Sequence, residues 1–372
     1  MRKHYIDNIR WLCILMLFPY HIFMIYNSFG ENFYIKGQDI LQTTGFIIAT
    51  SPWFMPLLFT IAGMSSAYAL QRRSLRAYLK ERVFKLLIPF IFGLLLVVPT
   101  QTYFAEKFHN GYTGTYWQQY LLFFTKETDL TGYSGGFTPG HLWFVFYLFM
   151  VLLLALPFML VCQRSKKKLL FEKLPLPCVC LCFVIPLLMA PILDVGGKSL
   201  GEFFAYFILG NLLLSKDESL KKLERYRWFL MLFALGLGAV LLTLWFSWWL
   251  NIYKAPQLLY DIMVRIYGWM SILAILAMAR RYINVSNRFT QYMTGASFPV
   301  YIFHQTWIVA VAYYVFQFTN NAFAQMGLIL VFSVLGTFVT YEFCKRIPIA
   351  RLMFGIKSTA YPKMHNHISG KV

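Results

Sequence analysis

The sequence predicts an all-α, polytopic transmembrane helical bundle of about ten spans. Hydrophobic residues make up 59% of the 372 residues, whereas soluble domains are roughly half apolar. Charged residues make up only 13%, against about 25% in ordinary soluble domains. The apolar residues are gathered into runs of about 20, the length of α-helix that crosses the hydrocarbon core of a bilayer.

The first apolar run follows a basic start, but no small-residue cleavage site comes after it. We therefore interpret it as a retained span rather than a signal peptide. The sixth run is short and contains Gly201 and Gly210, so we expect it to be the least regular span. The spans predict one membrane domain over residues 1–351 and a polar cytoplasmic tail over 352–372. In chain order, the predicted spans are 11–29, 50–70, 84–101, 141–161, 176–193, 201–214, 229–250, 259–279, 294–314 and 323–344.

The distribution of lysine and arginine predicts the orientation. The cytoplasmic loops of membrane proteins carry an excess of these residues. If the N-terminus is cytoplasmic, 28 of the 34 lysines and arginines fall in predicted inside segments, so both termini are predicted to be cytoplasmic. The net charge of +19 then reflects contact with anionic lipid and cytosolic anions rather than with nucleic acid.

The first span carries an arginine and a histidine on one helix face. At roughly 100° per residue, the eleven steps from Arg10 to His21 turn the helix about 20° beyond three full turns. Asp7 lies one turn before Arg10 and can pair with it. His21 is then either a proton-handling residue reached from the cytosol through a polar track, or a histidine that only packs against a neighbouring helix. The sequence leaves both interpretations open.

A second histidine, His304, is expected at a similar depth in the ninth span. Two histidines near the middle of one small bundle favour a shared polar cavity. Neither has metal-ligand spacing to another histidine or to a carboxylate, so no metal site is predicted.

The predicted second cytoplasmic segment, 71–85, is a candidate phosphate site. It holds six cations and a single acidic residue, Glu81. Arginine and lysine clusters bind phosphates, but the same cluster is also explained by anchoring of the cytoplasmic ends of two spans. Its cations are Arg72, Arg73, Arg76, Lys80, Arg82 and Lys85.

Three further polar or aromatic residues mark the ends of spans. His141 and Trp143 open the fourth span at the predicted outer surface, and Glu342 closes the tenth near the cytoplasm. Taken alone, each is more readily explained as structural than as catalytic. The predicted outer segment 102–140 is rich in aromatic residues, which could stack on sugar rings or form an interfacial belt.

These motifs together resemble the acyltransferase-3 family of membrane O-acyltransferases. Arg10 and His21 match the family's arginine-x10-histidine signature. The segment Arg82-Val-Phe-Lys85 matches its arginine-x-x-arginine motif, except that Lys85 lacks the two-pronged guanidinium. The runs His141-Leu-Trp143-Phe, Val300-Tyr-Ile-Phe-His304 and Tyr341-Glu342 also resemble family patterns. Within the family, the opening is most similar to the glucan biosynthesis protein C branch.

The resemblance implies an enzyme of the bacterial plasma (inner) membrane. It would move an acetyl or succinyl group from cytosolic acyl-CoA to a hydroxyl of an extracytoplasmic glycan. Acyl-CoA is then a co-substrate, no cofactor is permanently bound, and the other partners are membrane lipids and the acceptor, with no nucleic acid. The implied roles are catalysis by His21, Arg10 and His304, binding of CoA by Arg82, Lys85, Arg73 and Arg76, and binding of the acceptor by His141, Trp143 and Glu342.

Two other interpretations remain at this point. A transporter or flippase for a lipid-linked saccharide would also need ten spans and polar residues at mid-depth. The sequence shows no inverted-repeat symmetry, which counts against it. A membrane sensor or scaffold without enzymatic activity would tolerate replacement of Arg10 and His21.

Overall fold

The computed structural model describes residues 3–30, 33–128, 130, 132–164 and 174–356. Nearly all of its regular structure is helical, as the composition predicts. The first half contains α1 (His4–Ile25), α2 (Leu41–Leu70), α3 (Leu75–Arg82), α4 (Ile88–Leu96), α5 (Val98–Asn110), α6 (Tyr116–Thr125) and α7 (Trp143–Arg164). A π-helical turn, Val83–Leu87, joins α3 to α4, and a 3₁₀ turn, Gly140–Leu142, precedes α7.

The second half begins with two short helices, α8 (Leu176–Leu181) and α9 (Val184–Met189). A small antiparallel hairpin of β1 (Asp194–Val195) and β2 (Lys198–Ser199) follows. The remaining helices are α10 (Leu200–Leu209), α11 (Asp217–Arg225), α12 (Arg227–Trp249), α13 (Gln257–Tyr282), α14 (Arg288–Phe318), α15 (Ala322–Arg346) and α16 (Pro348–Met353). A second π-helical turn, Gly210–Leu214, extends α10.

Seven helical segments of the described chain are long and apolar enough to cross a membrane. This confirms an all-α, multi-pass membrane bundle. The predicted fifth and sixth spans correspond to shorter apolar stretches, Leu176–Met189 and Leu200–Leu214. The predicted ninth span lies within α14, which has 31 residues but is not one of the seven. The count of ten and the cytoplasmic placement of the termini remain predictions. The seven segments are His4–Ile25, Leu41–Leu70, Leu75–Asn110, Gly140–Cys162, Arg227–Trp249, Gln257–Tyr282 and Ala322–Arg346.

Helix α1 runs through the core and packs against α2, α14 and α15. Its buried side chains recur along most of its length because it is surrounded by other helices. Beyond α16, Phe354 packs edge-on against Phe303 with ring centroids 4.7 Å apart. The described chain therefore remains part of the bundle up to residue 356, while 357–372, most of the predicted tail, lie outside the described residues.

Helices α2 and α10 approach each other at backbone distance. A Cβ added to Gly63 would lie 2.0 Å from the carbonyl oxygen of Phe207, and one added to Gly210 would lie 2.1 Å from that of Thr60. Asn211 Nδ2 donates a hydrogen bond of 3.1 Å to the carbonyl of Gly63 across the same contact. Small residues allow such close approach between membrane helices.

Candidate active site

Three histidines from three separate elements form one cluster inside the bundle. The ring centroids of His21 and His304 are 5.3 Å apart, and those of His141 and His304 are 5.1 Å apart. The expected proximity of His21 to His304 is thus present in the structure. His141, which the sequence placed at the outer surface, is only 7% exposed and lies in this histidine cluster.

Two nitrogen atoms of the histidine cluster are buried without a hydrogen-bond partner among the described residues. They are Nδ1 of His21 and Nε2 of His304. His304 is completely buried, and its Nδ1 lies 2.6 Å from the carbonyl oxygen of Tyr301. Unpaired buried polar atoms cost free energy, so they mark places where a substrate group or a water molecule binds.

An aromatic layer covers the histidine cluster on the side away from the N-terminus of α1. Phe33 stacks on His21 at a centroid distance of 6.0 Å and an angle of 11°. Tyr34 and Tyr133 pack edge-on around Phe33. His109 Nε2 lies 2.7 Å from the carbonyl oxygen of Phe33 and so donates a hydrogen bond to it. Burial raises the pKa of Tyr34, which therefore stays a neutral hydroxyl near neutral pH.

A cavity of about 710 Å³ enters the bundle from the end at which α1 begins. Its inner end is defined by the deepest lining residues of each helix, namely Ile14, Leu58, Phe144 and Tyr301. The ring of Tyr301 lies 5.5 Å from that of His141 and 5.8 Å from that of His304, centroid to centroid. The cavity therefore ends one aromatic ring away from the histidine cluster. The outer part of its lining, the basic mouth, contains Lys3, Arg10, Arg72, Arg73, Arg82 and Lys85.

The cations of the basic mouth differ in how far they are neutralised. Glu81 pairs with both Arg73 and Lys85. Arg10 donates hydrogen bonds to Asp7 at 2.9 Å and to Ser65 at 3.1 Å.

Arg82 differs from these cations because its guanidinium packs on a neutral ring. Its guanidinium lies over the ring of Tyr78, 4.8 Å from the centroid, and its Nε is buried without a hydrogen-bond partner. Arg82 can therefore donate to an incoming anion.

The polar track expected between Arg10 and His21 is not formed by side chains of α1. Between the two residues, this face carries Ile14, Leu17 and Phe18, which are buried and apolar. Helix periodicity predicts which side chains share a face, but not which neighbours fill the space between them. The open path from Arg10 runs instead through the cavity to Tyr301.

Three of the predicted site residues lie outside both the cavity lining and the histidine cluster. Arg76 is exposed on α3. Trp143 packs edge-on against Tyr147 and lies under the ammonium group of Lys198. Glu342 accepts hydrogen bonds from Tyr292 at 2.9 Å and from Lys345 at 3.1 Å. The predicted roles of these three residues remain untested.

A family model described as an acyltransferase domain matches residues 3–342. The chain belongs to the acyltransferase-3 family. The matched range includes the histidine cluster, the basic mouth and all the predicted site residues. The family indicates an enzyme rather than the transporter or the scaffold that the sequence left as alternatives. Neither a curated protein nor a solved structure was found to match the chain.

Two residues of this acyltransferase that contact the histidine cluster were not predicted from the sequence. Tyr301 separates the cavity from His304, and its hydroxyl donates a hydrogen bond to the carbonyl of His141. Gln101 lies at the end of the predicted third span and contacts the ring of His141. Tyr301 could have been noticed as a polar residue three positions before His304, whereas the contact of Gln101 depends wholly on tertiary packing.

The acyltransferase shows no protein-derived metal site in the ranges that the structure describes. There, no three side chains of His, Cys, Asp or Glu are grouped so as to hold a metal ion. The ring nitrogens of the histidine cluster are instead bonded to carbonyl or amide groups or left open, an arrangement that suits proton transfer.

Proposed function

We propose that this membrane O-acyltransferase moves an acyl group from a cytosolic acyl-CoA to a hydroxyl of an extracytoplasmic glycan, in the plasma membrane of a bacterium. The observation that supports this proposal is the cavity, which runs from the basic mouth to Tyr301, one ring away from the histidine cluster. A donor with several phosphates and a long neutral arm matches both parts of such a cavity in charge and in shape.

The basic mouth binds the phosphates of CoA in this proposal. Arg82 supplies uncommitted guanidinium donors, and Lys85 adds a charge one turn away. Arg10 binds the donor deeper in the cavity, where the hydrogen bond from Arg10 to Ser65 fixes the direction of the guanidinium. Arg73 and Arg76 strengthen the positive potential at the entrance, although Glu81 offsets part of the charge of Arg73.

The histidine cluster performs the chemistry. The acceptor hydroxyl lies between His21 and His304, and a basic ring nitrogen of the pair removes its proton. The hydroxyl oxygen attacks the thioester carbonyl and forms the new ester bond, while the bond from carbon to sulfur breaks. The departing thiolate takes the proton back from the imidazolium, so the products are the acylated glycan and free CoA.

The inner end of the cavity favours an uncharged acyl group. Among its described lining residues, those nearest the histidine cluster are Ile14, Leu58, Phe144 and Tyr301, none of which carries a charge at neutral pH. A buried carboxylate without a partner is costly, because neither water nor a cation replaces its hydration. We therefore propose acetyl rather than succinyl as the transferred group.

The acceptor approaches from the opposite side, beneath the aromatic layer of Phe33, Tyr34 and Tyr133. Aromatic rings pack against the apolar faces of sugars, and phenol hydroxyls bond to sugar hydroxyls. His141 and Trp143 keep their predicted roles in acceptor binding as part of this proposal. Glu342 does not, because it is bonded to Tyr292 at the start of α14, towards the opposite end of the bundle.

The decisive experiment measures transfer of labelled acetyl from acetyl-CoA to glucan oligosaccharides in proteoliposomes. His21→Ala and His304→Ala should each lower the transfer rate by at least ~100-fold, the range for loss of a general base. Binding of acetyl-CoA to both variants should be unchanged. His4→Ala, which removes a histidine outside the cluster, is the matched control. Full transfer by a folded His21→Ala protein would contradict the proposed role of His21 in proton removal.

The preference for the acyl group has its own test. Acetyl-CoA and succinyl-CoA should bind the detergent-purified protein with similar affinity if only the phosphates matter, whereas acetyl should be transferred much faster. Faster transfer of succinyl would show that a charged group is accommodated beyond Tyr301 and would contradict the proposed acyl group.

A further inference from the structure

The hydrogen bonds around His141 fix its protonation state. His141 Nε2 lies 2.9 Å from the carbonyl oxygen of Ile302, which can only accept, so this nitrogen carries a hydrogen. His141 Nδ1 lies 3.3 Å from Nε2 of Gln101. An amide NH₂ group can only donate, so His141 Nδ1 is the unprotonated nitrogen, and the ring is neutral.

A second contact agrees with this orientation of the Gln101 amide. Gln101 Nε2 donates a bond of 2.8 Å to Thr306 Oγ1, and the single hydroxyl hydrogen of Thr306 points to the carbonyl of Val97 at 3.1 Å. Thr306 Oγ1 then accepts from the NH₂ group of Gln101, while Gln101 Oε1 is buried without a partner among the described residues. Both contacts agree on the assignment of nitrogen and oxygen in the Gln101 amide, which is inferred from the hydrogen-bond network around it.

His304 has the opposite tautomer. Its Nδ1 donates to the carbonyl oxygen of Tyr301 at 2.6 Å, so in the neutral ring Nε2 holds the lone pair. That nitrogen is buried and has no partner among the described residues. Of the two rings, only His304 can accept a proton without breaking a hydrogen bond.

We propose that Gln101 is a positioning residue that acts through His141. A cationic His141 would need a hydrogen on Nδ1, which would face the NH₂ group of Gln101, donor against donor. Gln101 thereby keeps His141 neutral, so that the proton of the acceptor moves to His304 or His21 instead. The other titratable groups nearest to His141 are Tyr301 and His304 from α14, with His21 from α1 behind His304.

The expected change in kcat rests on the proposed function, whereas the expected tautomer of His141 does not. Gln101→Glu replaces the amide by a carboxylate of nearly the same shape. The carboxylate accepts a hydrogen bond from Nδ1 and so stabilises a cationic His141, whose charge opposes protonation of the neighbouring His304. A shift of one pKa unit at the base corresponds to a tenfold change in its proton affinity, so we expect a fall in kcat of roughly tenfold or more.

The experiment combines kinetics with nitrogen NMR of the histidine rings in detergent. For Gln101→Glu we expect the lower kcat together with a displaced acid limb of the pH profile and an unchanged KM for acetyl-CoA. In the spectra, His141 should be neutral with hydrogen on Nε2 in the wild type, and doubly protonated at neutral pH in Gln101→Glu.

A matched pair of neutral variants controls for loss of packing. Gln101→Met should lower kcat without adding a charge. Gln119→Met removes another buried glutamine, which donates to the carbonyl of Gly135 away from the histidines, and should leave kcat and the pH profile unchanged. A wild-type spectrum with hydrogen on Nδ1 of His141, or an unchanged pH profile in folded Gln101→Glu, overturns the proposal. The spectra require no turnover, so a wild-type protein without acetyl transfer would contradict the proposed function and still decide the tautomer.

Discussion

Removal of the Arg82 side chain provides the sharpest test of the basic mouth. Charge-assisted hydrogen bonds contribute about 1.5–3 kcal/mol each. Arg82 has donors available for an anion, and the ring of Tyr78 already holds its guanidinium in place, so little of that free energy is lost in ordering the side chain. Since about 1.4 kcal/mol is tenfold in affinity, Arg82→Ala should weaken binding of acetyl-CoA by roughly 10- to 150-fold.

The control for this variant lies on the same short helix. Arg76 has the same charge, but it is exposed and does not line the cavity, so Arg76→Ala should change affinity by less than about twofold. Arg82→Lys keeps the charge and loses the planar fork, and should give an intermediate affinity.

Titration calorimetry in detergent at two salt concentrations provides the assay. Equal losses in Arg82→Ala and Arg76→Ala would show that general surface charge binds CoA. Wild-type affinity in a folded Arg82→Ala protein would show that the donor does not occupy this cavity.

The remaining predictions concern charge balance, helix packing and pH. Glu81→Gln removes the partner of two cations in the basic mouth and should raise affinity for acetyl-CoA up to ~5-fold, as expected for exposed ion pairs and measurable by the same calorimetry. Gly63→Leu should abolish folding, because a Cβ meets the carbonyl oxygen of Phe207 at 2.0 Å, whereas Gly236→Leu, with open space around its Cβ position, should give a normal size-exclusion profile. Hydrogen bonds from an arginine and a lysine lower the pKa of Asp217 below its usual range. Its stabilising effect is present above the unfolded pKa of about 4 and is lost as pH falls through the lower folded value, so Asp217→Asn should lower Tm at neutral pH and have a smaller effect in acid.

Much of the membrane architecture could be predicted because apolar run length is a local property. The fifth predicted span shows where run length fails to predict the structure. Instead of one long helix, residues 176–189 form two short helices, and the chain then turns through a hairpin at Gly196 and Gly197, both with positive φ. That pair of glycines is a turn signal. It follows directly on the apolar run, so run length alone did not predict that the segment divides into two short helices.

The candidate site was predictable where helix geometry and depth in the membrane determine it. Arg10 and His21 share a face of α1 because of helix geometry, and equal depth brought His304 close to His21. The stacking of Phe33 on His21 could not be predicted, because the segment that follows α1 has no periodic pattern. The same holds for Gln101 and His141, whose contact joins two elements through packing.

The π-helical turn at Val83–Leu87 sets the rotation of α3 relative to α4, and with it the composition of the basic mouth. A π turn places about one residue more in a turn than an α-helix does. If the same residues formed a regular α-helix instead, α3 would be rotated by roughly 100° relative to α4. Arg82 would then leave the cavity wall without any change to its own side chain. In related chains that keep an arginine at this wall, loss of the π turn should therefore be accompanied by the loss of one residue from it.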